Sequence, residues 1–241
     1  MKSIKGILFT LLFSSMIVSC VQGQWGTGIK GQGPKVTKTL DVSGFDGITL
    51  AFSGDVYLKQ GSNYAVEAEG QENIIDNIET NVSGGIWRIK FDRNVRNHQG
   101  IKIYITMPKL TQAKIAGSGN IYSEGLFENV DHLALGVSGS GDIKMEVSAN
   151  NVESRISGSG SISLAGKTVG HEIQISGSGD IHSYDLTATK CSIRVSGSGN
   201  CQVDVIEDLD VSISGSGDVT YEGRPRIKSK ASGSGNVKPR G

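Results

Sequence analysis

Aromatic residues make up only 6% of this 241-residue chain, and there are just four prolines and three cysteines. So few aromatics leave little material for the stacking platforms that usually anchor sugars, bases or protein partners. Charge of either sign is also missing in excess: Lys plus Arg and Asp plus Glu both total 24, for a formal net charge of zero. Without a basic surplus or an acidic tail, nothing supports binding to nucleic acid or to polyanions in general. After residue 17 no apolar stretch is long enough to cross a bilayer. What the chain has in abundance is glycine, 34 residues, about twice the usual share of ~7%. Glycine and proline together stay below the ~25% at which disorder becomes the default, so the excess points to frequent tight turns in one or two folded domains.

The first residues read as an address. Lys2 and Lys5 make a basic start, Gly6 to Ile17 an apolar run of 12 residues, and small residues follow, the pattern of an export signal too short to be a membrane span. Two processing routes fit. Ile17-Val18-Ser19-Cys20 resembles a bacterial lipobox, which makes residues 1–19 the signal and Cys20 the lipidated first residue of the mature chain. Alternatively Val21 and Gly23 suit ordinary signal cleavage after residue 23. In both cases the chain is exported, and residues 20–34 form a flexible leader.

Self-similarity decides the fold class. Ala116-Gly117-Ser118-Gly119-Asn120 is followed by Ser-Gly-Ser-Gly copies starting at Ser138, Ser157, Ser176, Ser196, Ser214 and Ser232, at intervals of 22, 19, 19, 20, 18 and 18 residues. Immediately before each motif stand Ile115, Val137, Ile156, Ile175, Val195, Ile213 and Ala231, all apolar. Five residues after each motif start stand Ile121, Ile143, Ile162, Ile181, Cys201, Val219 and Val237, again all apolar. Polar neighbours flank both columns, and this period of two on each side of a glycine corner marks half-buried strands. No unit of about 20 residues buries its own apolar face, so the units must stack. At ~4.8 Å per coil the seven copies span roughly 29 Å. The chain is therefore read as all-β: a right-handed parallel β-helix or β-solenoid with coils of about 18–22 residues over 109–241. A row of repeated hairpins is the alternative, since the same corner can close an antiparallel turn.

Residues 35–108 differ. Gly47-Ile48, Asp55-Val56-Tyr57, Tyr64 to Ala68, Ile86 to Phe91 and Ile101 to Ile105 alternate like strands, and Glu72 to Ile78 is the one helical stretch, with Ile74, Ile75 and Ile78 on one side. This section is expected to cap the upstream end of the solenoid, with Ser53-Gly54-Asp55 as a degenerate copy of the corner.

Gly44-Phe45-Asp46-Gly47-Ile48, Ser53-Gly54-Asp55-Val56-Tyr57, Ile74 to Ile78, the Gly84-Gly85 pair before a short strand, and the iterated Ser-Gly-Ser-Gly-Asp together resemble the auto-transporter adhesin, head GIN domain family over about residues 36–237. That resemblance implies an exported bacterial β-helix protein with a role in adhesion. It brings no catalytic or ligand-binding motif with it.

The chemistry-bearing residues mostly have structural readings. Gly117, Ser118, Gly119 and their later copies suit a corner that needs close backbone approach, with serines serving turn hydrogen bonds. Seven equivalent serines without a repeated base offer no single nucleophile. The motif-closing column Asn120, Asp142, Ser161, Asp180, Asn200, Asp218, Asn236 alternates carboxylates with neutral residues. This suits corner capping without like-charge repulsion better than an intercoil calcium site, which would favour adjacent carboxylates. Lys114, Arg155, Arg194 and Lys230 form an outward basic column, a candidate recognition stripe for an anionic glycan or lipid headgroup. Glu153, Glu172 and Asp210 in the next outward column instead favour a solvated mixed-charge face. His171 falls in an apolar column with Leu133, Val152, Cys191, Leu209 and Ile227 and is expected to pack there. No histidine has metal-ligand spacing. Cys191 and Cys201 sit in core columns, as buried fillers or as a disulfide pair. Trp87 alternates with Ile89 and Phe91 toward the core, while Trp25 belongs to the leader.

Together these features point to a non-enzymatic exported protein without cofactor or metal that presents a rigid surface to a glycan or protein ligand at the cell envelope. Its address is an outer-membrane or envelope lipoprotein held by a lipid on Cys20, or a periplasmic or secreted protein if cleaved after Gly23. A structural or assembly component of the envelope is the alternative function. A polysaccharide-active enzyme is a third class, requiring an acid and a base clustered in a groove. Lipidation predicts a diacylglyceryl-type mass increment and detergent partitioning that Cys20→Ala abolishes. Ordinary cleavage predicts a lipid-free mature chain starting at Gln24, and intact mass of the natively expressed protein separates the two.

Overall fold

The computed structural model describes residues 28–241. The segment read as an export signal, Cys20 and Trp25 lie outside them. In chain order the elements are β1 (Ile29–Lys30), β2 (Lys35–Thr39), β3 (Gly47–Leu50), β4 (Asp55–Gln60), β5 (Ala65–Gln71), α1 (Glu72–Ile75), β6 (Val82–Ser83), β7 (Ile86–Ile89), β8 (Val95–Asn97), β9 (Lys102–Met107) and β10 (Gln112–Ile115). Then come β11 (Asn120–Val137), β12 (Asp142–Ile156), β13 (Ser161–Gly177), β14 (Asp180–Gly197), β15 (Cys201–Gly215), β16 (Val219–Glu222), β17 (Arg226–Gly233) and β18 (Val237–Pro239). The long strands each wrap one coil, and every pairing from β10 to β18 is parallel. The repeats therefore stack as a β-solenoid, and the hairpin alternative is excluded.

The apolar columns read along the chain are the core columns of the fold. Ile121, Ile143, Ile162, Ile181, Cys201 and Val219 stand in consecutive register, each fully buried. Ile115, Val137, Ile156, Ile175, Val195 and Ile213 do the same on the other side of the corner. Burying these columns is the main favourable contribution to the fold, at roughly 1.5–3 kcal/mol per large apolar side chain.

The corner explains the glycines. In each later copy the central serine N–H donates to the first glycine carbonyl of the preceding coil: Ser159 to Gly139 at 3.0 Å, Ser178 to Gly158 at 3.0 Å, Ser198 to Gly177 at 2.9 Å and Ser216 to Gly197 at 2.9 Å. For that bond to form, backbone must lie on backbone, and a Cβ on Gly158 would collide with the Gly139 carbonyl oxygen. The second glycines are held the same way, with Gly160 over Gly141.

The motif-closing column adds a side-chain ladder. Asn120 Nδ2 donates to Asp55 Oδ1 at 2.9 Å, the Asp142 N–H to Asn120 Oδ1 at 3.1 Å, and the Ser161 hydroxyl to Asp142 Oδ1 at 2.7 Å. Asn200 Nδ2 donates to Asp180 Oδ1 at 3.0 Å and the Asn236 N–H to Asp218 Oδ1 at 2.9 Å. Each carboxylate thus meets a donor rather than another carboxylate. The backbone N–H of Asn236 is the main reason that the Asp218 pKa lies below its ordinary value. Among the described residues no group of three or more His, Cys, Asp or Glu is placed to hold a metal ion.

The upstream section is more than a cap. β4 stacks directly under β11, with Asp55 against Asn120 and Val56 against Ile121, so Ser53-Gly54-Asp55 is a corner of the same ladder. β7 and β9 stack beneath β3 and β4 in turn. The spatial order of these coils reverses the chain order. The chain lays down the 47–60 coil, passes through antiparallel β5 and the single turn α1, adds the 86–107 coil outside it, and returns to stack β10 on β3. Trp87 is fully buried there, donating Nε1–H to the Glu79 carbonyl at 2.8 Å. The leader reading is corrected at its downstream end: Ile29–Lys30 pairs with β8, and Gln71 Nε2 donates to the Gly33 carbonyl at 3.0 Å. These bonds tie residues 29–33 to the folded section.

At the other end every residue of β17 is exposed. Ser229 and Ala231 take the core positions of Val211 and Ile213, while Arg226 and Lys228 face Asp208 and Asp210 at 2.7 and 3.6 Å. Small, polar and charged residues on an open edge discourage edge-to-edge pairing.

The corner geometry predicts that Gly158→Ala loses about 2–3 kcal/mol of unfolding free energy. The neighbouring Ser159→Ala, at an exposed side chain, changes it by less than about 0.5 kcal/mol. Chemical denaturation of the two variants checks this.

Candidate functional site

A regular solenoid has flat sides, so a concave site requires an irregularity. Register shifts occur at two places around the coil: one set, between Phe127 and Val130 and between Ala188 and Lys190, lies further round, and the set on the face that follows each corner shapes a groove. Across β11 and β12, Tyr122 opposes Lys144 but Leu126 opposes Glu146, so Ser123-Glu124-Gly125 bulges against the single residue Met145. Gly125 takes φ +99° within the bulge. Across β13 and β14, Ser163 opposes His182 and Ala165 opposes Asp185, which leaves Tyr184 as an added residue. β15 lacks a counterpart to Tyr184, Asp185 and Leu186 altogether. The 22-residue and 20-residue coils therefore raise two walls, and the regular coils of β12 and β13 form the floor between them. The resulting groove has a volume of about 590 Å³.

Each wall carries a tyrosine braced from behind. Tyr122 ends a ladder of stacked rings, 5.4 Å from Tyr57, which lies 5.0 Å from Tyr104. Burial, reinforced by Asp55, raises the Tyr122 pKa above its ordinary value, so the phenol stays neutral. Tyr184 is covered by the Arg240 guanidinium, 4.4 Å from its ring centroid, and Arg240 is itself held by Glu222 at 2.7 Å. The floor column begins with Lys144 and Ser163 between the walls and continues through His182 at the base of the second wall to Gln202 beyond it, with Glu146, Ala165 and Asp185 beside it. His182 Nδ1 and Gln202 Oε1 are 3.0 Å apart, and the Ser123 hydroxyl accepts the Glu146 N–H at 2.9 Å, fixing the first bulge to the floor.

The basic residues singled out by sequence lie on a different face, the one that leads into the corner. Lys114, Arg155, Arg194 and Lys230 do share one outward column. Arg155 is paired with Glu153, however, and Arg194 with Glu172 at 3.4 Å, so this face is a mixed-charge surface rather than a bare cationic stripe. The groove residues escaped sequence reading because the signal lay in the departures from the repeat. The extra residues in the 22- and 20-residue intervals were the available clue.

The buried polar groups are structural. His171 stacks between Val152 and Cys191 and shares a 3.0 Å hydrogen bond with the Ser154 hydroxyl. Its burial lowers the imidazole pKa to about 3. Cys191 and Cys201 are buried free thiols, and burial pushes both pKa values up, away from reactive thiolate. None of the three opens onto the groove.

Residues 44–225 match the family described as "Putative auto-transporter adhesin, head GIN domain". A crystal structure of a "putative adhesin" from Bacteroides fragilis superposes with a TM-score of 0.83 at 24% identity, covering 88% of this chain and 100% of that one. A "putative lipid binding protein" from Parabacteroides distasonis gives 0.74 at 24% identity over 88% and 99%. A "putative adhesin" from Parabacteroides merdae gives 0.70 at 21% identity over 89% and 99%. These likenesses show the fold. No curated protein sequence matches the chain.

A histidine kept neutral inside the core predicts an acid-sensitive fold. The unfolded chain takes up a proton near pH 6.5 that the native state refuses until about pH 3, so stability is complete above about pH 6.5 and falls progressively as the pH drops toward 3. The double variant Ser154→Val/His171→Leu removes both partners, and urea titrations from pH 7 to 4 should show a flatter loss of stability than in the wild type.

Proposed function

Since the chain belongs to this auto-transporter adhesin, head GIN domain family, we propose that it is an exported recognition module of the cell envelope that binds its ligand without turning it over. The supporting observation is the groove itself. Two bulged coils on an otherwise regular rod raise braced tyrosine walls around a polar floor, and neither the stacking of the core nor the corner ladder requires them. A purely structural rod has no use for such a feature. The lipid on Cys20 would hold the rod at the envelope while leaving its sides free for a glycan or protein ligand. Among the described residues no helix is long and apolar enough to cross a membrane.

An enzymatic reading by a pair of carboxylates would use Glu146 and Asp185 on the groove floor. They stand two coils apart, about 10 Å along the ladder, at the outer limit of the ~6.5–9.5 Å separation of an inverting carboxylate pair, which gives that reading little geometric support.

The purified full-length chain is expected to bind saturably to at least one member of a panel of immobilised envelope polysaccharides, matrix glycans and glycoproteins, with no chain cleavage on prolonged incubation. Release of reducing ends or unsaturated products would replace the binding reading with an enzymatic one. Absence of binding across the panel, together with in-cell crosslinking confined to envelope proteins, would make the chain a structural component instead.

A further inference from the structure

We propose that the groove walled by Tyr122 and Tyr184 binds a linear, uncharged, β-linked glycan lying parallel to the solenoid axis. This rests on the recognition reading above and names the ligand class for its site. The first argument is length. From the coil of Tyr122 to the coil of His182 is three stacking steps, roughly 14 Å at ~4.8 Å per coil. One sugar unit of an extended β-linked chain advances by nearly the same amount as one coil, so successive rings would meet successive rungs of the same column.

The second argument is the chemistry of each rung. Lys144, Ser163, His182 and Gln202 occupy consecutive coils in one column, with Glu146 and Asp185 alongside. These are donors and acceptors suited to pairs of hydroxyl groups. Aromatic faces at both ends suit the apolar faces of sugar rings, and both tyrosines are held in place before any ligand arrives, by the Tyr57–Tyr104 stack and by Arg240. Preorganisation of this kind reduces the entropy lost on binding.

Other occupants fit less well. A polyanion would meet the Glu146 and Asp185 carboxylates, with Lys144 as the main opposing charge. A peptide strand would find only a short edge, because β12 and β13 are paired on both sides along the floor and β14 lacks a β15 partner only over Tyr184 to Leu186. A protein helix needs protruding apolar anchor sites, yet Met145 and Leu164, which line the floor, are core residues exposed by only 2% and 3%.

Calorimetric titration of the full-length chain with neutral gluco-, manno- and xylo-configured β-linked tetra- to hexasaccharides tests the assignment. At least one series is expected to bind with an affinity that grows with chain length up to about four units, and Tyr122→Ala should weaken it about tenfold or more. Because Tyr122 is also part of the ring ladder, Asp185→Asn serves as a second variant at an exposed side chain. It should weaken binding several-fold without shifting the melting temperature, whereas Arg155→Glu/Arg194→Glu on the face leading into the corner should leave affinity unchanged. Affinity that survives both groove variants overturns the assignment, as does failure of every neutral oligosaccharide to bind at millimolar concentration. If the panel described above yields a protein or anionic ligand insensitive to the groove variants, the groove assignment falls while the recognition reading stands. If it yields no ligand of any class, the recognition reading itself falls.

Discussion

The structure depends on backbone lying directly on backbone at one edge of the rod. At each corner a serine N–H of one coil reaches the glycine carbonyl of the coil before it, which is possible only if nothing projects between them. This contact fixes the register of every coil relative to its neighbour. A slip of one residue in a parallel ladder would turn the apolar columns outward and the charged columns inward, so the corner glycines and the core columns enforce the same alignment. The Asp/Asn/Ser ladder running beside the corner adds a third constraint, in which each carboxylate needs a donor from the next coil.

With the register fixed on one edge, variation in coil length can only be expressed elsewhere. The 22- and 20-residue coils place most of their added residues on the face that follows the corner, where bulges re-aim side chains without breaking the ladder, and the 22-residue coil places one further round, between Phe127 and Val130. The face leading into the corner, without such irregularities, carries paired charges that neutralise each other. The rod thus has a mixed-charge face leading into the corner and concave faces where extra residues are accommodated, a division that follows from where such residues are tolerated. The same tolerance appears upstream, where the 86–107 coil is stacked outside the 47–60 coil that precedes it in sequence.

Much of the architecture was legible along the chain because a solenoid converts sequence period into spatial stacking. Columns such as Ile121 to Val219 needed only alignment of the repeats, and the alternation around Trp87 placed it in the core. The corner reading of Gly117, Ser118 and Gly119, and the capping reading of Asp142, Asp180 and Asp218, followed from elementary steric and charge arguments. The groove was not legible in the same way. Tyr122 and Tyr184 stand 62 positions apart and belong to no common motif, and each looked like an isolated aromatic in a chain with few of them. The basic column drew attention because it repeats, but repetition marks what the stack requires rather than what it binds. The reversed order of the upstream coils also has no local signature, since each strand there alternates as it would in any order.

The sequence by itself determined the class of fold, the length of each coil, the residues that point inward and the chemistry of the corner. All of these are properties of short-range periodicity and of single side chains. Only the tertiary structure decided which coils are neighbours upstream, which charges neutralise each other across coils, and where two bulges raise opposite walls of one groove. Those are relations between residues brought within a few ångströms by stacking, and the distance along the chain carries no record of them.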